Sequence, residues 1–430
     1  MNTVKSRFFH CLIALLIGYT PAIPAVQAPV NKDEAEQLFA SHKQSIFQIR
    51  VIELATGNKA AIGSGFLIDK AGHIATNFHV VSTFVHQPNR YRLEYASVDG
   101  VTGELQLVDI DVVHDLAITR GDVTNQTPLV LAHSRLAKGT RIFSLGNPHD
   151  LGLSVVEGTY NGLLEKSLFD KIFFSGSLNP GMSGGPTLNH DGQVIGINVS
   201  TAGNQLSFLV PVDFLKNLQK EAGKRDESQQ VDFEKRIEQQ LVAHQNSFIS
   251  HLIDSEWKTT DLGPFNLPGS IDDIFKCWGD SENDSETLIE HAYSNCFSED
   301  QIYLAQRFTT GGIAYTYDYF RSKDLGSVHF YNLYSQEYGR SIRVNTGKKE
   351  EMSNYQCHVD FISMAEKDWK MSFCARHYLK YPSLYDVNAA IALVSEKDIG
   401  LIIQIAMSGV NKDTALELSR KFIEHVKWQK

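Results

Sequence analysis

The feature that most constrains the fold of this chain is a series of short apolar runs between residues 45 and 210. Runs such as IFQIRVIEL, YRLEYASV, RIFSLG and QVIGINVS follow one another, separated by Gly, Asn or Asp. A spacing of roughly ten residues between such runs is typical of an all-β barrel or sandwich. No long amphipathic helix interrupts the series, which disfavours an α/β sheet.

The pattern changes near residue 214. There the sequence FLKNLQKEAGKRDESQQVDFEKRIEQQLVAHQNSFISHL is charged, rich in Gln and helical in its period. We predict a short closing helix, a polar linker at 219–231 and a second helix that opens a further domain. Beyond it, IAYTYDYF and VHFYNLY alternate as strands do, and NAAIALVSE and LIIQIAMSG predict two adjacent strands before a capped helix. The sequence therefore predicts a mainly β protein, in which a barrel domain at 40–218 precedes a separate α+β C-terminal domain at 232–430.

The N-terminal segment is typical of a secretory signal peptide. Lys5 and Arg7 precede the apolar run FFHCLIALLIGY, and Val26 and Ala28 occupy the small-residue positions of a cleavage site. The apolar run is too short for a stable membrane helix, so an uncleaved anchor is the weaker alternative. We predict a signal peptide at 1–28, export to the periplasm or out of the cell, and no stable membrane span after its removal.

Four cysteines remain after this segment, and all of them lie in the C-terminal half: Cys277, Cys296, Cys357 and Cys374. In an oxidising compartment an even number predicts two disulfides, although four cysteines permit three pairings. We predict the sequence-local pairs, Cys277 with Cys296 and Cys357 with Cys374. A zinc site is the alternative, but no Cys-x-x-Cys spacing supports it.

Composition disfavours several classes of partner. The net charge is −10 and the chain has no basic run, so we expect no nucleic-acid partner. The 16 His residues show no metal-ligand spacing, and we expect neither a metal nor another cofactor.

Ser183 is the candidate nucleophile, because it lies among glycines in NPGMSGGPTLNHDGQVIGINVS. A serine hydroxyl needs an imidazole base, a carboxylate that orients the imidazole, and backbone N–H groups directed at the oxyanion. The nucleophile elbow of α/β-hydrolases requires a helix after the serine and a base downstream, whereas a β-like run follows Ser183. Upstream, His79 in GSGFLIDKAGHIATNFHVV and Asp115 in DVVHDLAIT offer both partners. Taken singly, this histidine fits a packed core and this aspartate fits a turn, but their joint order favours a triad.

These segments resemble the chymotrypsin-fold serine peptidases of the bacterial HtrA/Deg-like branch. The resemblance covers residues 45–215 and includes GSGFLIDKAGHIATNFHVV, HDLAIT, SLGNPHDLGLSVVEGTYNGL and LNPGMSGGPTLNHDGQVIGIN. It implies two six-stranded β-barrels packed at right angles, with a triad in the cleft between them. Met182 departs from the pattern, since the branch usually has Asn there, and residues 225–430 contain no recognisable PDZ domain.

The resemblance also implies a role for each residue of the triad. Ser183 would be the nucleophile, His79 the general base and then the general acid, and Asp115 the orienting acid. Asp111 is the weaker candidate for that acid. The backbone N–H groups of Gly181 and Ser183 would form the oxyanion hole.

A primary substrate pocket is implied in the same way. Ser177 would form its floor, and Asn198, Val199 and Ser200 would line one wall. Because the floor has no carboxylate, we expect a small or medium apolar side chain before the scissile bond rather than Arg or Lys.

Two functions fit these features. The first is an exported serine endopeptidase that cuts polypeptides through an acyl-enzyme intermediate. The second is a protease-fold binding or chaperone-like protein whose triad is inactive until a partner binds. In the C-terminal domain, alternating tyrosines predict a packed sheet face in preference to a docking surface: Tyr315, Tyr317, Tyr319, Tyr331 and Tyr334.

Overall fold

The structure of the protein is a computed structural model that describes residues 33–123, 126–133, 136–203, 205–225, 231–282, 284, 287–340 and 347–429. The signal peptide predicted at 1–28 lies outside the described residues. Within those ranges, none of the helices is both long and apolar enough to cross a bilayer.

A first closed barrel follows helix α1 (Glu34–His42) and a 3₁₀ turn at Lys43–Ser45. Its six antiparallel strands are β1 (Ile46–Glu53), β2 (Lys59–Leu67), β3 (His73–Thr76), β4 (Tyr91–Ala96), β5 (Thr102–Asp111) and β6 (Leu116–Arg120). They close in the order β1-β2-β3-β6-β5-β4. Helix α2 (Phe78–His86) lies between β3 and β4. In β1, Phe47, Ile49 and Val51 are fully buried, as the alternation of that run predicts.

A second closed barrel follows. Its strands are β7 (Arg141–Gly146), β8 (Ser154–Leu163), β9 (Ile172–Phe174), β10 (Pro186–Leu188), β11 (Val194–Gly203) and β12 (Leu206–Pro211), with a 3₁₀ turn at Pro148–Asp150. They close in the order β10-β11-β12-β9-β8-β7. Helix α3 (Val212–Ala222) ends this part, so the linker predicted at 219–231 begins inside a helix. The two six-stranded barrels confirm the predicted fold class.

The remaining elements form a C-terminal unit, residues 233–429. In chain order they are α4 (Phe233–Asp254), β13 (Thr259–Leu262), β14 (Phe265–Pro268), β15 (Phe275–Glu282), β16 (Ile289–Ser298), β17 (Ile302–Ala305), β18 (Phe308–Thr310), β19 (Ile313–Ser322), α5 (Ser327–Tyr338), β20 (Gln356–Met364), β21 (Lys367–His377), β22 (Tyr385–Leu393), β23 (Ile399–Val410), α6 (Lys412–Glu424) and β24 (Lys427–Trp428). Seven antiparallel strands form one sheet in the order β15-β16-β19-β23-β22-β21-β20. A small sheet of β13, β14 and β24 and a β17–β18 hairpin complete the unit.

Both predicted disulfides are present in this sheet. Cys277 faces Cys296 across β15 and β16, and Cys357 faces Cys374 across β20 and β21. Each bridge therefore joins an edge strand of the seven-stranded sheet to its neighbour.

One predicted strand is wrong. The run VHFYNLY lies in helix α5, whereas IAYTYDYF forms β19 as predicted. The buried residues Phe330 and Tyr334 are four positions apart, so the same run also satisfies the helical period and places both rings on one face.

The five tyrosines singled out in the sequence of this unit are buried or half-buried, not exposed to solvent. Tyr315 and Tyr317 are fully buried, Tyr319 and Tyr334 nearly so, and Tyr331 is half-buried. The burial of Tyr315, Tyr317 and Tyr319 on β19 confirms the predicted packed sheet face. Tyr331 and Tyr334 lie instead on helix α5, so the sheet-face prediction was wrong for these two residues.

The C-terminal unit and the first barrel share one apolar cluster. It joins barrel residues such as Phe47 and Val81 to Ile237 of α4 and to Ile302 and Leu304 of β17. The β17–β18 hairpin is thereby held against α2, the helix that carries His79.

Candidate active site

His79 lies at the second position of α2. Its neighbours Val80 and Val81 are buried in the first barrel, which anchors the helix and leaves the His79 side chain 28% exposed. Asn77, the residue before α2, donates its side-chain N–H to the Asp115 carbonyl at 2.8 Å. The start of α2 is therefore tied to the segment that carries Asp115.

Asp115 lies in the turn between β5 and β6 and meets His79 with both carboxylate oxygens. Its Oδ1 accepts the backbone N–H of His79 at 2.8 Å, and its Oδ2 lies 2.6 Å from the ring Nδ1. The Asp115 backbone has φ = 56°, a left-handed conformation that Asp and Asn adopt more readily than most residues. The carboxylate holds the proton on Nδ1, which leaves Nε2 of His79 as the free acceptor.

Two opposing effects act on the pKa of His79. Burial lowers it, because the charged ring is poorly solvated, whereas the charge and the hydrogen bond of Asp115 raise it. The effects of Asp115 are together larger, so the pKa of His79 lies above its ordinary value. Asp115 therefore stabilises the imidazolium that proton transfer from a serine would create.

Asp111, the weaker candidate for the orienting acid, contacts a different histidine. Its Oδ2 lies 2.7 Å from Nδ1 of His114, and its Oδ1 accepts the backbone N–H of His114 at 3.0 Å. Asp115, and not Asp111, is therefore the acid bonded to His79.

Ser183 lies on a tight turn that two glycines shape. Gly181 has φ = 97°, and a Cβ there would lie 2.4 Å from the Asn147 carbonyl oxygen. Gly184 has φ = 84°, and a Cβ there would lie 2.2 Å from the Ser64 carbonyl oxygen. Both positions require glycine, because of the backbone conformation and because other backbone approaches so closely. Ser64 of the first barrel also donates its N–H to the Ser183 carbonyl at 2.7 Å, which fixes the turn across the two barrels.

The turn leaves two backbone donors unused. The N–H of Met182 donates to the Asn179 carbonyl at 3.0 Å, but in the described part of the chain the N–H groups of Gly181 and Ser183 donate to no protein acceptor. An oxyanion hole needs two such free backbone N–H groups close to the nucleophile.

The hydroxyl of Ser183 is not bonded to the base. It donates to the Val199 carbonyl at 3.4 Å, and within the described ranges no hydrogen bond joins it to the His79 ring. Catalytic hydrogen bonds are often long or unmade without substrate and form in the enzyme–substrate complex. The structure therefore has the histidine–aspartate pair assembled and the serine–histidine contact unmade.

The prediction that Asn198 lines the substrate pocket is wrong. Its side chain is fully buried: Nδ2 donates to the carbonyls of Leu145 at 3.0 Å and Met182 at 3.1 Å, and Oδ1 accepts from the hydroxyls of Ser144 and Thr187. Asn198 ties the nucleophile's turn to β7 and β10. Met182 is itself fully buried, so its departure from the usual Asn does not alter the surface of the cleft.

The other predicted pocket residues lie at the surface. Ser177 is exposed in the segment that leads from β9 to Ser183. Val199 is half-buried and Ser200 exposed, and both line a cavity of about 240 Å³ that His79 also lines.

The C-terminal unit supplies part of that cavity, which sequence reasoning missed. Gln301, Ile302 and Tyr303 line it, and the centre of the Tyr303 ring lies 5.9 Å from the centre of the His79 ring. No local pattern could have revealed this, because the contact joins segments more than two hundred residues apart.

Within the described ranges, no group of three or more His, Cys, Asp or Glu residues could hold a metal ion.

Comparisons with known proteins cover the region of the chain that contains this site. Residues 63–197, which include all three candidate triad residues, match the family model of the trypsin-like peptidase domain. Serine protease HTRA1 of Xenopus laevis is 32% identical over 181 residues, which cover 40% of this chain and 38% of that protein. The chain contains an HtrA-like, trypsin-like peptidase domain. Protease Do-like 1, chloroplastic, of Arabidopsis thaliana is 32% identical over 187 residues, 40% of each chain. Serine protease HTRA3 of Homo sapiens is 36% identical over 162 residues, 35% of this chain and 36% of that protein.

Solved structures give weaker overall likenesses to the whole chain. The crystal structure of Deg5 is 30% identical, with a TM-score of 0.38, and the match covers 43% of this chain and 91% of the Deg5 chain. A serine endoprotease from Yersinia pestis is 24% identical with a TM-score of 0.40, over 45% of this chain and 67% of that one. The chain spans less than half the length of these curated relatives.

Proposed function

We propose that the protein is a serine endopeptidase that hydrolyses polypeptides through an acyl-enzyme intermediate. The observation that carries this proposal is the pair of contacts from Asp115 to His79, together with the free N–H groups of Gly181 and Ser183 on the nucleophile's turn. The HtrA-like domain that spans these residues supports the same reaction class.

The reaction follows from these positions. The Ser183 hydroxyl turns from the Val199 carbonyl to Nε2 of His79, gives up its proton there and attacks the substrate carbonyl carbon. The resulting oxyanion accepts the N–H groups of Gly181 and Ser183. His79 then passes the proton to the leaving amine, which breaks the peptide bond and leaves an ester on Ser183. A water molecule, deprotonated by His79, hydrolyses that ester and restores the enzyme.

The side chain before the scissile bond is proposed to be small or medium-sized and apolar. Ser177, Val199 and Ser200 carry no charge, so a Lys or Arg side chain would find no ionic partner among them. The resemblance implies that Ser177, an uncharged residue, forms the floor of the pocket, which supports this preference. Its side chain is exposed, so it does not close the pocket off from solvent.

We also propose that the protein acts outside the cytoplasm, in the periplasm or after secretion. The signal-like segment at 1–28 supports this location, as do the two cross-strand disulfides of the C-terminal unit, since such bonds persist in oxidising compartments.

Peptide-library cleavage by the mature protein tests the activity. We expect cleavage after apolar residues, and the matched Ser183→Ala variant should cleave nothing. Equal cleavage by both proteins would identify a contaminant, and no cleavage by either would count against the proposal.

A second candidate is a protease-fold binding protein whose triad is latent. The unmade contact between Ser183 and His79 favours it. A fluorophosphonate probe, applied with and without unfolded casein, separates the two. Labelling of Ser183 without casein supports a constitutive peptidase, and labelling only with casein supports a latent one.

A further inference from the structure

The β17–β18 hairpin of the C-terminal unit reaches into the cleft of the HtrA-like domain. Tyr303 lies edge-on to His79, with the two ring planes inclined by 70°. Its hydroxyl lies 3.4 Å from the Ser82 hydroxyl on the same helix as His79. Tyr303 is half-buried, contacts α2 through these two residues and lines the cavity.

Both barrels hold the hairpin in place. On the second barrel, Asp300 accepts from the Ser167 hydroxyl at 2.7 Å and the Leu168 N–H at 2.8 Å, and it pairs with Lys171 at 2.6 Å. The side chains of this ion pair are only 15% and 26% exposed, for Asp300 and Lys171 respectively. Asp300, which makes these contacts, lies three residues before Tyr303 in the chain.

The first barrel supplies a second attachment. Nε2 of His86 lies 2.8 Å from the Leu304 carbonyl oxygen, and the side chains of Ile302 and Leu304 are buried in the apolar cluster shared with that barrel. Tyr303 is thus fixed on both sides in sequence. A side chain held in this way can form a wall of a binding site.

The cavity beside Tyr303 is mostly apolar. Its apolar lining includes residues from all three parts of the protein, among them Val112, Val113, Phe169, Val199, Ile302 and Tyr303. Among the charged groups that line it, Lys171 pairs with Asp300 and Asp115 pairs with His79, whereas Asp170 is exposed to solvent. Such a site suits an apolar side chain.

The cavity is also next to the reacting atoms. His79 forms one wall, and Val199, whose carbonyl accepts the Ser183 hydroxyl, forms another. Val199 and Ser200 are also the wall proposed for the primary pocket. The primary pocket takes the residue directly before the scissile bond. Because the cavity shares this wall, and one extended residue spans about 3.5 Å, we infer that the cavity takes the side chain of the preceding residue.

We propose that the C-terminal unit sets part of the substrate specificity. In this proposal Tyr303 is the wall that selects an apolar side chain at the second residue before the scissile bond. The proposal rests on the endopeptidase function proposed above. It gives the C-terminal unit a role in substrate recognition rather than in stabilisation alone.

Paired peptides that differ at this single position test the proposal. For the wild-type protein we expect kcat/KM to be roughly tenfold higher with Leu than with Gly at that position, the size of effect that a hydrophobic pocket produces. Tyr303→Ala should bring the two peptides to near parity, whereas Tyr303→Phe should keep the preference because the ring remains. Tyr293→Ala, on a strand of the same unit away from the cleft, is the matched control and should also keep it.

A second variant keeps the test valid if Tyr303→Ala does not fold. Tyr303→Leu retains an apolar group against α2 but vacates the volume of the ring. We expect it to move the preference from Leu towards Phe by several-fold, as an enlarged hydrophobic pocket should.

Fluorophosphonate labelling of Ser183 separates failure of this proposal from failure of the proposed function. Unchanged labelling together with an unchanged Leu-to-Gly ratio in Tyr303→Ala would overturn the specificity role alone. Faster labelling and equally faster cleavage of all peptides would also overturn it, because the hairpin would then be a cover. If the wild-type protein neither labels nor cleaves, the endopeptidase function fails and this proposal falls with it.

Discussion

Replacing Asp115 with Asn tests the orienting role of the carboxylate. Asp115→Asn keeps the size of the side chain and tolerates the left-handed backbone at φ = 56°, so the turn should persist. The change removes the acceptor that lies 2.6 Å from Nδ1 of His79. An amide N–H in that place favours the tautomer with the proton on Nε2, which cannot accept the proton of Ser183. We expect kcat to fall about 10⁴-fold, which corresponds to about 5.4 kcal/mol of transition-state stabilisation.

The same variant should change the pH profile. The base must be neutral, so kcat/KM rises as pH increases through the pKa of His79. In the wild-type protein that pKa is raised by Asp115, whereas in the variant burial remains and the carboxylate charge is gone. The acid limb of the residual activity should therefore move to lower pH.

Steady-state peptide cleavage assays from about pH 5 to about pH 9 measure both the fall in kcat and the shift of the acid limb. Asp69→Asn is the matched control, because Asp69 lies 2.7 Å from Nδ1 of His73 in a similar pair outside the cleft. It should leave the profile unchanged. If Asp115→Asn keeps wild-type kcat and the wild-type acid limb, the assignment of Asp115 is refuted.

Three further predictions concern stability and are measured by urea unfolding. Gly184→Ala should destabilise the protein by about 3 kcal/mol, because a Cβ would meet the Ser64 carbonyl oxygen at 2.2 Å in a left-handed backbone; an unchanged midpoint would contradict the geometry of the turn. Asp300→Asn should cost about 2 kcal/mol through its lost ionic hydrogen bonds. Burial raises the pKa of Asp300, but its contacts with Lys171, Ser167 and Leu168 lower that pKa by more, so it lies below the ordinary carboxyl value. The stabilisation is therefore full above the ordinary carboxyl pKa and should be lost as pH falls through the lowered pKa of the folded protein; a difference that persists below that pKa would contradict it. Replacing Cys277 and Cys296 together by Ser should cost about 3 kcal/mol, the loop-closure contribution of a bridge with a sequence separation of 19; no loss would show that this disulfide does not constrain the unfolded chain.

The barrels and the disulfides could be predicted because their signals are local. In β1, alternate residues such as Phe47 and Ile49 face the interior, and the run itself shows that alternation. Cys277 and Cys296 lie on neighbouring strands of one hairpin, so sequence proximity indicates the pair. The run VHFYNLY misled because its rings satisfy the periods of both a strand and a helix.

The substrate-binding surface could not be predicted in the same way. The position of Asn198 in the chain suggested a pocket wall, but its amide turns inward to Ser144 and Thr187, which come from other strands. Tyr303 reaches His79 only because Asp300 docks on the second barrel and β17 packs on the first. Such contacts depend on how whole elements assemble, which no single run of residues encodes.

The most direct test of the central claim is to map the adduct of a fluorophosphonate probe by mass spectrometry of the mature protein. We predict a single adduct, on Ser183, that is absent in Ser183→Ala and His79→Ala. The absence of any adduct at every pH and with every polypeptide tested, or an adduct on a different serine, would contradict a nucleophile activated by His79 and Asp115.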